Sequence, residues 1–281
     1  MTRVAGKVVA ITGAARGLGR SHAVRLAEEG ADVIVLDVGD DAVRSDLDET
    51  ARLVEKAGRR VVVKQADVRD RAALGQAVDE AVASLGRLDV VIPNAGINPI
   101  GPGRPVSAFA DTIDVNLAGT INTVHAALPH LTEGGSIILM GSVAGLMPRY
   151  DGTGASGPGG AGYAFSKKMV AEYGDWLAVQ LAPSGTRVNV VHPTNVPTKL
   201  IENDAYWKTF RPDLEKPTAA DVEGIYKAIH GIPIAYLEAA DVSHLIVYLA
   251  SDESRYVTGQ QLKIDAGLLG KLAAGYMPGM S

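Results

Sequence analysis

Val8-Val9-Ala10-Ile11-Thr12-Gly13-Ala14-Ala15-Arg16-Gly17-Leu18-Gly19 carries a strand, a glycine turn and the start of a helix in twelve residues. Its first five residues form a short apolar run of strand character, and a helical pattern continues from Leu18 to Glu29. Between them the glycines fall as GxxxGxG; the more common GxGxxG is absent. Glycines also serve plain tight turns, but a turn set between a strand and a helix aims backbone N–H groups and the positive end of the helix dipole at one point. A pyrophosphate fits there. The next strand ends at Asp37, near the offset expected of a carboxylate that binds adenosine ribose hydroxyls. A carboxylate there repels a 2′-phosphate and selects NAD. Arg16 inside the turn argues mildly the other way, for NADP, yet no basic residue follows Asp37 before Arg44.

Working outward, apolar β-branched runs recur at Val33 to Asp37, Val61 to Ala66, Val90 to Pro93, Ile137 to Ser142, Val188 to His192 and Leu262 to Asp265, giving seven predicted strands. Helical composition or periodicity occupies Leu18 to Glu29, Glu49 to Ala57, Ala72 to Leu85, a stretch around Ile113 to Leu128, Tyr163 to Leu181 and Ala239 to Ala250. Near-continuous apolar strands separated by helices predict a parallel sheet covered on both faces. The expected architecture is a single doubly wound α/β domain whose ligand lies beyond the carboxyl ends of the strands.

Bulk properties agree with that class. A chain of 281 residues, 47% hydrophobic, can bury roughly three quarters of its extended surface in one large domain, and no linker divides it. The 27 basic and 32 acidic residues give a net charge of −5, with no Lys/Arg cluster to track a phosphate backbone, so nucleic acid is not an expected partner. There is no cysteine, hence no disulfide or thiolate metal site. The start lacks a signal layout and no apolar run approaches 18 residues, so the expectation is a cytoplasmic protein without a membrane span. The six histidines show no paired ligand spacing, and no catalytic metal is expected.

Tyr163-Ala164-Phe165-Ser166-Lys167 places a phenol and an ammonium on one helical face about a turn apart. The positive charge favours phenolate, making the phenol a better acid toward an alcohol or ketone. Such a pair alone is common on helix surfaces. Together with the Thr12 to Gly19 turn, Asp67-Val68, Asn94-Ala95-Gly96, Asn116, Ser142 and Pro193-Thr194-Asn195-Val196-Pro197-Thr198, it closely resembles the classical short-chain dehydrogenase/reductase family over Lys7 to Gly267. The resemblance implies a Rossmann domain of about seven strands, with a substrate-covering insertion at about 196–235 and a tail at 268–281. It implies a catalytic set of Asn116, Ser142, Tyr163 and Lys167.

In that reading Tyr163 exchanges the hydroxyl proton, Lys167 assists it and bonds the nicotinamide ribose, Ser142 holds the substrate oxygen, and Asn116 positions a water leading to Lys167. For Ser142 and Asn116 taken singly, local backbone bonding explains the residue as well. Gly13, Arg16, Gly17, Leu18, Gly19 and Asp37 would hold the adenosine and pyrophosphate, Asp67 and Val68 the adenine. Asn94, Ala95 and Gly96 would support the cofactor-side strand, and Pro193, Val196 and Thr198 the carboxamide. Val143, Ala144, Thr194, Asn195, Tyr206, Trp207 and Phe210 would line the substrate pocket. Thr194 stands where the family usually has Gly, so its side chain narrows the pocket or supplies a hydroxyl. His192 reads as a hydrogen-bonded strand-end residue beside the nicotinamide loop that could touch ligand.

The segments Gly19-Arg20-Ser21-His22-Ala23, His192 to Val196, Phe210 to Leu214 and Ala250 to Gly259 are similar to the carveol dehydrogenase-like subgroup, which includes mycofactocin-associated oxidoreductases. That similarity implies oxidation of terpenoid-like secondary alcohols with NAD that can stay bound and pass electrons to a separate redox carrier. An NADPH-dependent carbonyl or 3-oxoacyl-type reductase and a dinucleotide-sensing binding protein are the alternatives. The family also implies a homotetramer, with Ala171, Trp176 and Val179 on an apolar outer face. Met147 to Gly162, rich in glycine, reads as a flexible loop, either a tolerated insertion or a gate or partner-docking segment. Leu268 to Ser281 reads as an apolar tail, either frayed or buried against a neighbouring subunit.

Overall fold

Each apolar run becomes a strand hydrogen-bonded in parallel to its neighbours, and every connection is long enough for a crossover. The computed structural model describes residues 2–147 and 155–275. The strands are β1 (Val8–Thr12), β2 (Asp32–Asp37), β3 (Val61–Gln65), β4 (Leu88–Ile92), β5 (Leu131–Met140), β6 (Arg187–Pro193) and β7 (Gln260–Ile264). Their order across the sheet is β3-β2-β1-β4-β5-β6-β7, all parallel. The chain runs one way from β1 to β3 and the other way from β4 to β7, so the direction reverses between β1 and β4. Ligands bind at such a switch point, beyond the carboxyl ends.

Helices are α1 (Gly17–Glu28), α2 (Asp41–Lys56), α3 (Arg71–Leu85), α4 (Ser107–Ile113), α5 (Gly119–Ala127), α6 (Val143–Leu146), α7 (Gly157–Leu181), α8 (Asp204–Phe210), α9 (Ala219–Ile229), α10 (Ala239–Ala250) and α11 (Leu268–Ala273). Successive strand residues face opposite sides. Val9, Ile11, Val33 and Val35 join Ala23 and Leu26 of α1 and Val242 and Ile246 of α10 in one core layer. Val8, Ala10, Ile34 and Leu36 join Leu74 of α3, Val124 of α5 and Val170 of α7 in the other.

Several boundaries differ from expectation for identifiable reasons. Helix α2 starts at Asp41, not Glu49, because the Asp40 carboxylate caps it by accepting the Val43 N–H at 2.7 Å. The expected helix around Ile113 to Leu128 is interrupted by one π-helical turn, Asp114–Ala118, which carries Asn116. The largest correction concerns Met147 to Gly162. Pro148–Gly154 lie outside the described residues, but Gly157 to Gly162 are the first turns of α7, where they pack against 97–109. Helices α4, α6, α8, α9 and α11 lie outside the expected set, and neither Tyr276 nor Met277 of the tail is among the described residues.

Candidate active site

The turn after β1 is shaped by close approach. Gly13 has φ +67°, and a Cβ on it would lie 2.7 Å from Ala95 Cα; a Cβ on Gly19 would strike the Gly13 carbonyl and come within 2.8 Å of the Asn94 amide. Asn94 locks the turn to the end of β4, its Nδ2 donating to the carbonyls of Thr12 at 3.0 Å and Gly13 at 3.1 Å. The Thr12 hydroxyl accepts the N–H groups of Asn94 and Ala95 in return. Gly17 has φ +56°, and its missing Cβ would sit 3.3 Å from Thr198 Cγ2, so the loop after β6 reaches the turn. Leu18 packs on the α1-side core. The result is a turn without Cβ atoms at Gly13, Gly17 and Gly19 at the start of α1, and helix starts of this kind suit a phosphate.

Asp37 ends β2 beside that surface. Its carboxylate accepts the N–H of Ala15 at 2.9 Å and of Val38 at 2.9 Å. Burial raises its pKa, opposed by those two N–H groups and by the charge of Arg16. The Arg16 guanidinium lies 3.8 Å from the Asp46 carboxylate of α2 and is half exposed. Asp67 is bound to Arg69, which holds its pKa below the usual carboxylate range, and Val68 packs where Gly119 leaves no side chain.

Lys167 is buried on α7, its Nζ donating to the Met140 carbonyl at the end of β5 over 2.7 Å and lying 5.7 Å from the centre of the Tyr163 ring. Burial pushes its pKa down to about 8. Among the described residues no carboxylate is in ion-pair range of it. Gly145 of α6 lies so close to the Lys167–Lys168 backbone that a Cβ would meet it at 2.6 Å. That approach brings Ser142, which caps α6, to the same helix. Its hydroxyl oxygen accepts the Ala144 N–H at 3.2 Å, while its own N–H donates to His192 Nδ1 at 3.2 Å. Fully buried Asn116 accepts the Ile97 N–H at 2.8 Å and donates to the Ile97 carbonyl and to Ser166 Oγ. Gly96 fits between Asn116 and Lys167, with 3.3 and 3.8 Å to a Cβ placed there.

On the substrate side Val143 is buried and Ala144 half-buried at the start of α6. Val196 is buried in the core layer that also contains β1 and α10 side chains. The Thr194 hydroxyl bonds His230 Nε2 at 2.9 Å, so the hydroxyl expected to serve the pocket already has a protein partner. Tyr206, Trp207 and Phe210 of α8 form a cluster of their own with Val222 and Tyr226 of α9, Ala235 and Tyr236. Phe210 meets Tyr226 edge-on at 4.9 Å. Sequence reading missed Tyr226 and Tyr236, although Val222, Tyr226 and Ile229 repeat at helical spacing. Asn195 ties the cluster to the loop after β6, accepting from the Tyr206 hydroxyl at 3.4 Å, and its Nδ2 is buried without a partner. A cleft of about 330 Å³ at the amino ends of the strands, lined by Lys7, Arg87 and Arg187 among others, contains none of these residues.

Among the described residues no group of His, Asp and Glu side chains is arranged to hold a metal ion, and no helix is long and apolar enough to cross a membrane. A family model described as Enoyl-(Acyl carrier protein) reductase matches residues 13–269. The chain is 43% identical to (-)-trans-carveol dehydrogenase of Rhodococcus erythropolis over 287 aligned residues, covering 95% of this chain and 99% of that protein. It superposes on the crystal structure of carveol dehydrogenase from Mycobacterium avium in complex with NAD with a TM-score of 0.89 at 44% identity, covering 96% of this chain and 100% of that one. The short chain dehydrogenase from Mycobacterium paratuberculosis bound to NAD gives 0.81 at 38% identity, covering 95% and 99%. With the glycine turn, the buried lysine one turn from a tyrosine and the capping serine gathered at the carboxyl ends of β1, β4 and β5, these matches make the chain a member of the short-chain dehydrogenase/reductase family.

Proposed function

We propose that this chain is an NAD-dependent oxidoreductase that interconverts a secondary alcohol of carveol type and its ketone. The observation that carries the reading is buried Lys167, whose Nζ lies 5.7 Å from the centre of the Tyr163 ring and bonds the Met140 carbonyl two residues before Ser142. Bound NAD supplies the acceptor for the carbinol hydride. Tyr163 takes the hydroxyl proton, and returns it in the reverse direction. Lys167, cationic below about pH 8, favours phenolate one helical turn away. Ser142 already accepts a hydrogen bond from Ala144 N–H, so its own hydrogen is left to donate to the substrate oxygen. Asn116 braces 97 against α7 and positions a water toward Lys167.

Support for NAD over NADP comes from Asp37 and from Arg16, whose charge is turned toward Asp46. The relatives crystallised with NAD point the same way. Asp67 and Val68 take the adenine side, and the 193–198 loop the carboxamide side, where the buried Asn195 Nδ2 has no protein partner. In this reading one dinucleotide-binding domain carries residues 196–235 as a substrate cover, with Tyr206, Trp207 and Phe210 giving it an apolar underside. The assembly is a homotetramer built on α7, from which Phe165, Trp176 and Val179 project 48, 57 and 71% exposed. Ala171, expected on that outer face, is instead buried within the subunit.

The test is reduction of NAD on addition of carveol-type secondary alcohols, with mass spectrometry of any dinucleotide released from denatured, freshly purified protein. Turnover with NAD, or release of NAD, supports the reading. Retained NAD that reduces without exchanging supports a separate redox carrier. A preference for NADPH with carbonyl substrates would replace it by the reductase alternative, and stable monomers in light scattering would remove the tetramer.

A further inference from the structure

Fully buried His192 at the end of β6 contacts both polar backbone atoms of Ser142 through one nitrogen, with Nδ1 lying 3.2 Å from the Ser142 N–H donor and 3.1 Å from the Ser142 carbonyl oxygen. These two contacts require opposite tautomers, because Nδ1 must be bare to accept and protonated to donate. Gln261 on β7 decides between them. Its Nε2 donates to the Ala171 carbonyl at 3.0 Å and to the Asp175 carboxylate at 2.6 Å, two groups that only accept. The amide nitrogen therefore faces α7 and the amide oxygen faces the ring, 2.6 Å from His192 Nε2. A carbonyl oxygen cannot donate, so Nε2 carries the hydrogen and Nδ1 of the neutral ring is an acceptor. Burial and the nearby Lys167 charge lower the His192 pKa against the opposing pull of Gln261, the Ser142 carbonyl and Asp175, which keeps the ring neutral. The ring also packs where Gly141 has no side chain, since a Cβ there would lie 2.5 Å from it.

We infer that His192 is a positioning residue for Ser142, held as the Nε2–H tautomer by Gln261 so that its Nδ1 fixes the Ser142 N–H. The Ser142 hydroxyl oxygen is separately fixed by the Ala144 N–H. Two bonds, one on the backbone and one on the side chain, then direct the serine hydrogen outward. The relay runs from Asp175 on the exposed side of α7 through Gln261 to the strand end. This inference rests on the role proposed above for Ser142.

Histidine-selective ¹⁵N labelling with long-range ¹H–¹⁵N correlation reads the tautomer directly, and loss of one signal in His192→Asn assigns it. The expected wild-type pattern is Nε2–H, which Gln261→Leu converts to a mixture or to Nδ1–H. In kinetics, His192→Phe should lower kcat by about 10- to 100-fold, the scale of a misplaced reacting group, while the dinucleotide KM is little changed. His192→Asn, whose Oδ1 sits where Nδ1 was, should recover most of that loss. An Nδ1–H pattern in the wild type overturns the inference, as does a His192→Phe variant with full kcat. Should His192→Phe fail to fold, Gln261→Leu, which keeps the ring, decides: an unchanged tautomer overturns the inference. Ser142→Ala separates the two readings. An active Ser142→Ala variant sinks the role of the serine, whereas an inactive one beside a fully active His192→Phe sinks only the positioning role.

Discussion

In the turn after β1, Gly13 and Gly17 take φ of +67° and +56°, whereas in α7, after Gly157 at +63°, Gly159 and Gly162 keep helical backbone and are pressed against other backbone. A Cβ on Gly159 would strike the Pro99 carbonyl oxygen, and one on Gly162 would lie 2.8 Å from the Phe109 carbonyl oxygen. Both stretches are glycine-rich and both let backbone approach backbone, the first against Ala95 after β4 to shape a turn at a helix start, the second as a closed contact with 97–109 that seats a helix. The closed contact holds the start of α7 on 97–109, and α7 then delivers Tyr163 and Lys167. In the proposed function, binding and chemistry thus rest on different glycine clusters.

Tyr163→Phe breaks this division most sharply if it is real. The ring remains and only the proton-transfer group is lost, so alcohol oxidation should fall by ~10² to 10⁴ with NAD affinity kept. Steady-state kinetics beside calorimetric NAD titration measure both. Near-normal turnover would remove α7 from the chemistry.

Asp37→Ala tests the turn side. The lost carboxylate should weaken NAD by ~1.5 to 3 kcal/mol and relax rejection of NADP, since a charged hydrogen-bond acceptor and a repulsive charge go together. Its effect should fall on affinity and leave the rate at saturating NAD nearly unaltered. Tighter binding of NADP than NAD by the wild type would instead give Arg16 control of cofactor choice.

How far each region could be read from sequence follows from the same contrast. The β1 turn was legible because its strand, glycine spacing and helix are local, and Asp37 lies at a fixed offset. The run at 157–162 was not, because the reason for its glycines is a segment roughly fifty to sixty residues earlier, and composition alone suggests flexibility. Asn116 and Ser142 could be placed by motif order, but the π-turn around Asn116 and the His192 bond to Ser142 depend on tertiary packing. Helix α9 was missed although Val222, Tyr226 and Ile229 carry its period, because Gly224 and the flanking loops dilute it. Gly159→Ala measures the packing reading. Overpacking a tight contact should cost ~1 to 3 kcal/mol in denaturant unfolding, while Gly75→Ala, where nothing lies within 4 Å of the new Cβ, should stabilise slightly. Equal effects would favour a flexible run.

The smallest effect concerns the charge that α7 buries. Lys167 has its pKa lowered from 10.5 to about 8 by burial, with a backbone carbonyl and, among the described residues, no carboxylate to offset the cost. In the unfolded chain the ammonium keeps its proton up to the higher value. Between these two values the unfolded state binds more protons than the folded one, so stability from this group rises with pH. Below about 8 both states are protonated and the cost is present in full. Comparing wild type with Lys167→Met cancels other titrating groups, and the wild type should gain on the variant by under about 1 kcal/mol between roughly pH 7 and 8.5. The slope should sit on α7 alone. A wild type that loses stability relative to Lys167→Met as pH rises would mean that the lysine gains a partner on folding, and that the site does not bury an uncompensated cation.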